Sequence, residues 1–74
     1  MGLDQMKVGA VARIVSLPEG QLAVQFVRLG LCVGSKIVCI GKLPGGPIVI
    51  KKNHQELAIG RMLAQKIILE IIGE

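Results

Sequence analysis

Every apolar run in this 74-residue chain is short, because glycine, proline or lysine interrupts it. No window of 18 residues lacks charge, so no segment reads as a transmembrane helix. The pieces that remain are rich in Val and Ile, which favours strands over helices. Val, Ile and Leu make up 27 positions, whereas Phe26 is the single aromatic. A chain that is 51% hydrophobic with a mean hydropathy of +0.63 is not disordered. The N-terminus shows no basic segment followed by an apolar one, so no secretory signal is expected. A domain this short hides only about 60% of its unfolded surface. Its aliphatic excess therefore compensates for size or is kept for a partner.

The pieces can be placed in order. Lys7 to Leu17 alternates, with Val11, Arg13 and Val15 on one side and Val8, Ala10, Ala12 and Ile14 on the other, which predicts a strand. Pro18-Glu19-Gly20 is turn chemistry. Gln21 to Leu29 changes period, with Leu22, Phe26 and Leu29 on one helical face and Gly30 as the stop. Lys36 to Leu43 and Ile48 to Lys52 form a hairpin about Pro44-Gly45-Gly46-Pro47. A second turn, Lys52-Asn53-His54-Gln55, leads into a strand from Glu56 to Ile59. Arg61 to Lys66 can make a turn of helix, and Ile67 to Ile72 is a last strand. The expectation is a mainly β domain over residues 1–74. Five strands, one inserted helix and a helical turn before the last strand make a small closed or half-closed barrel, which hides sheet edges.

Charge is unevenly placed. Residues 1–27 are neutral, residues 28–66 carry +6, and the last eight carry −2, for a net +4. A basic middle suits an acidic partner, a lipid surface or nucleic acid, and it also keeps an apolar protein soluble. Single-strand binders place aromatic platforms beside their cations, and Phe26 alone does not make one. Nucleic-acid binding is therefore the third reading of function. Cys32 and Cys39 are too few for a disulfide framework and are expected as thiols. With His54 they match no zinc spacing, and no CxxC occurs. No phosphate-binding glycine motif and no nucleophile–base set is present, so neither a nucleotide site nor an enzyme is expected.

Four segments then line up in order: Leu3-x-x-Met6-x-x-Gly9, Arg28-Leu29-Gly30-Leu31-x-x-Gly34, Pro44-Gly45-Gly46-Pro47-Ile48, and Glu56-Leu57-Ala58-Ile59 followed by Ala64-x-x-Ile67. Together they resemble the FeoA family, small cytosolic proteins of bacterial ferrous iron uptake, across about residues 3–72. The resemblance implies an SH3-like barrel, similar to the C-terminal module of DtxR-type iron-dependent repressors. It also implies association with FeoB, a ferrous iron permease that carries a cytosolic G-protein domain. A GTPase, if involved, then belongs to the partner. Three departures from the family pattern stand out. Asn53 replaces a frequent Gly, Gly60 replaces a common basic residue, and Gln25-Phe26-Val27 replaces a stretch often richer in Arg.

The expected role is that of an accessory protein, cytoplasmic or peripheral at the inner membrane face, that binds the permease through a protein–protein interface. Homo-oligomers are compatible with it. Candidate contact residues are Val24, Val27, Arg28 and Leu31 on and after the helix, and Pro44, Lys51 and Lys52 on the hairpin. Val24, Val27 and Leu31 are read as lying off the helix's core face. The alternative is a metal-sensing or metal-carrying protein, with Cys32, His54 and Glu56 as ligands for a transition metal ion.

Overall fold

A computed structural model describes residues 1–73. Strands β1 (Val11–Ser16), β2 (Lys36–Lys42), β3 (Ile48–Lys52), β4 (Gln55–Ile59) and β5 (Ile68–Gly73) form one antiparallel sheet in the order β4-β3-β2-β1-β5. Helix α1 (Gln21–Arg28) joins β1 to β2. The one-turn α2 (Arg61–Ala64) precedes β5, and a 3₁₀ turn (Leu3–Gln5) opens the chain.

The alternation that predicts the strands also sorts their side chains. Ala12 and Ile14 of β1, Ile37 and Cys39 of β2, Ile48 and Ile50 of β3, Leu57 and Ile59 of β4, and Leu69 of β5 face one core. Phe26, Leu31, Leu3, Met6, Ala64 and Ile67 close that core from outside the sheet. At 74 residues every one of these contacts matters, because large-to-small changes in such a core cost several kcal/mol (about 2–5 for Leu or Ile to Ala).

One feature differs from the expectation, and a second narrows it. Residues 7–10 form a turn rather than the start of β1. Ala10 N–H donates to the Lys7 carbonyl at 3.0 Å, and Gly9 takes a φ of 93° that other residues avoid. The barrel is half closed, because β4 and β5 do not pair with each other among the described residues. Instead the first residues cover part of the β5 edge. Leu3 N–H donates to the Ile67 carbonyl at 2.9 Å, and Leu69 N–H donates to the Met1 carbonyl at 2.7 Å. The apolar last strand is thus paired with β1 on one side and partly guarded on the other.

Candidate partner-binding surface

Helix α1 places Phe26 wholly in the core, with Leu22 and Leu29 packed at its margin. The opposite side carries Val24 and Val27, one turn apart and 52% and 73% exposed, with Arg28 beside them. Val33, 61% exposed, adds a third apolar side chain from the following loop, and its position between Gly30 and Gly34 was the only signal for it.

Leu31 corrects the sequence reading: it is buried, 1% exposed, and offers no contact surface. The way α1 ends explains this. Gly30, at φ 78°, donates from its N–H to the Val27 carbonyl at 3.0 Å, while Leu31 N–H reaches back to the Phe26 carbonyl at 2.9 Å. This paired closure folds the residue after the glycine onto the last helical turn. The chain therefore turns Leu31 inward beside Phe26, and a helical wheel extended past Gly30 misplaces it.

The loop continues under tight control. Gly34 N–H donates to the Ile14 carbonyl at 2.7 Å, and Ile14 N–H to the Ser35 carbonyl at 2.9 Å. Ser35 is buried, and its Oγ accepts the Cys32 N–H at 3.1 Å and lies 3.3 Å from Cys32 Sγ. Cys32 itself is exposed.

Three cations of the basic middle are tied to backbone carbonyls, and each holds one loop to another. Lys52 Nζ donates to the Gly30 carbonyl, Lys42 Nζ to the Asp4 carbonyl at 2.9 Å, and an Arg61 guanidinium N–H to the Leu43 carbonyl at 3.1 Å. Lys52 is thus a half-buried clip at the end of α1, whereas Lys51 is exposed on the outer sheet face across from Glu56. Pro44 is exposed at the β2–β3 turn beside Leu43, whose carbonyl also accepts the Gly46 N–H at 2.8 Å.

The candidates therefore do not form one surface. Val24, Val27, Arg28 and Lys52 lie toward one end of β3, where Lys52 meets the end of α1, and Pro44 lies at the other, beside the Leu43 carbonyl that Arg61 of α2 holds. Nor are Cys32, His54 and Glu56 gathered. No group of three or more His, Cys, Asp or Glu side chains able to hold a metal occurs among the described residues. Cys32 lies in the α1–β2 loop, whereas His54 and Glu56 belong to the β3–β4 hairpin and are exposed. No pocket indents the surface of the described residues, and no helix is long and apolar enough to cross a membrane.

The FeoA domain model matches residues 1–71. The chain belongs to the FeoA family. A crystal structure of an iron uptake regulatory protein, FeoA, is 30% identical with a TM-score of 0.88, and the match covers 97% of both chains. Iron(II) transport protein A from Clostridium thermocellum is also 30% identical, with a TM-score of 0.90. That match covers 97% of this chain but only 46% of the other, so this chain spans about half of that relative. Two more distant structures share the fold alone. The FeoA of Stenotrophomonas maltophilia, solved with zinc and described as a prokaryotic SH3 domain protein, is 18% identical over 95% of this chain and 89% of its own, with a TM-score of 0.80. The manganese regulator SloR is 18% identical over 96% of this chain and 34% of its own, with a TM-score of 0.86. Among curated proteins none matches. The FeoA fold expected from the four ordered segments, an SH3-like half-barrel shared with metal-dependent regulators, is the fold found.

Proposed function

We propose that this FeoA domain is a binding module of ferrous iron uptake that docks on a FeoB-type permease from the cytosolic side and acts without catalysis of its own. The observation that carries the reading is the apolar strip of Val24 and Val27 on a helix whose other side is already committed to the core. Two valines one turn apart, with Arg28 alongside, are more apolar than a solvated helix face requires. The iron connection rests on family membership. Such a module changes its partner only by preferring one of the partner's conformations.

The test replaces Val24 and Val27 by Glu and uses the tagged domain to capture partners from membranes. Recovery of a GTPase-bearing permease by the wild-type chain, and its loss in the folded double variant, supports the proposal. Equal recovery by both sinks this surface, and clean recovery of some other protein overturns the role.

A further inference from the structure

We propose that the outer edge of β4 is a self-pairing site, through which two copies of this chain join antiparallel about Ala58 into a weak, two-fold dimer. The inference starts from hydrogen-bond parity. Lys52 and Gln55 are direct partners across the two-residue loop Asn53-His54. A pair that close to a turn can only be the kind that exchanges both of its hydrogen bonds. Alternation then commits Gln55, Leu57 and Ile59 to β3 and turns the backbone groups of Glu56 and Ala58 outward. Those outward N–H and C=O groups find no partner among the described residues. Gly60 extends the row. Its carbonyl receives the Ala64 N–H at 2.9 Å, while its own N–H has no partner among the described residues.

This edge lacks the usual protections. Strand edges are normally blunted by lysine, proline or a bulge. Strand β4 contains neither residue, and its register on β3 runs without a shift from Gln55 to Ile59. The opposite edge of the sheet, by contrast, is covered by residues 1–3 at Ile67 to Leu69.

The edge is also complementary to itself. Antiparallel pairing about Ala58 sets its N–H and C=O against the same groups of the second copy. It further lets each Gly60 N–H reach the Glu56 carbonyl opposite, which makes four backbone hydrogen bonds. Leu57 and Ile59 stay in the core of their own copy, so the pairing asks no buried side chain to move. On the outer side the smallest side chain of the strand faces its own copy, and the two Glu56 carboxylates are kept apart. Each Glu56 already lies across from Lys51 of its own chain, so the edge is locally neutral despite the net +4.

Sedimentation of the intact chain from micromolar to millimolar concentration tests this, with amide exchange at Ala58 as the local readout. The expected result is a monomer–dimer equilibrium, with the Ala58 amide exchanging fast in dilute solution and slowing as dimer forms. Ala58→Pro removes an outward N–H without removing a bond to β3. It should weaken the dimer roughly tenfold or more. Ala58→Lys sets two cations face to face and gives the same loss if the proline variant does not fold. A monomer at every concentration overturns the proposal. So does a dimer whose affinity neither variant changes, or whose Ala58 amide stays unprotected.

Discussion

Lys52 at the end of β3 donates its ammonium to the carbonyl of Gly30, the glycine that ends α1. One side chain thus pins the helix closure to the far hairpin. It also places a positive charge where the helix's carbonyl end is negative. Lys51, its neighbour, makes no such bond among the described residues and is exposed on the outer sheet face. Lys52→Met is expected to lower unfolding free energy by about 1 kcal/mol, whereas Lys51→Met leaves it nearly unchanged. Urea midpoints of the two variants check this, and equal midpoints would show that the clip contributes nothing.

Leu31 and Val27 separate stability from binding. Leu31→Ala opens a cavity beside Phe26 and should cost about 2–5 kcal/mol, enough to unfold much of a marginal domain. Val27→Glu touches no core atom and should stay within about 0.5 kcal/mol of wild type. Thermal unfolding followed by circular dichroism reads both.

Gly34 holds φ 95° while its N–H is bonded to Ile14. A side chain there has open space around it but the wrong backbone angle. Gly34→Ala should therefore cost roughly 1–2 kcal/mol through strain alone. Asn53, at φ 55°, already accepts this conformation, and Asn53→Gly should be close to neutral. A loss at Asn53 as large as at Gly34 would contradict this account.

Cys32, His54 and Glu56 stand on different loops and strands. Stoichiometric Zn²⁺ or Fe²⁺ is therefore expected to leave the thermal midpoint of the chain unchanged. A shift that saturates at one equivalent and disappears in Cys32→Ser would establish the metal-binding alternative.

Much of the fold was legible because alternation and turn residues are local signals. Arg13 and Val15 read as one side of a strand and Ala12 and Ile14 as the other, and the sheet exposes the first pair and buries the second. Gln21 to Leu29 read as a helix one residue longer than α1. What stayed hidden depended on groups distant in sequence. Sequence says nothing about whether an ammonium meets water or a carbonyl, so Lys42 and Arg61 read as part of a basic middle and Lys52 as a contact residue, and none of the three showed its backbone bond. Leu31 read as surface because helical periodicity was carried past a glycine that reverses the chain. The three-residue spacing Leu3-x-x-Met6 was too short to predict the 3₁₀ turn, and the role of this segment in guarding β5 emerges only where residues 1–3 meet Ile67 to Leu69. Among the surface candidates, Val24 and Val27 were legible as apolar residues off the helix's core face, whereas their separation from Pro44 along β3 required the sheet.

The place of β1 between β2 and β5 sets the order in which the sheet can be completed. Its partner β2 is the next strand in the chain, whereas its other partner, β5, is the fifth. Until β5 has joined, β1 has one side unpaired and residues 1–3 have no strand to lie against. Completion of the sheet thus waits on its longest-range strand pairing, the kind of contact that forms slowly, and until it forms the open flank of β1 can take a wrong partner.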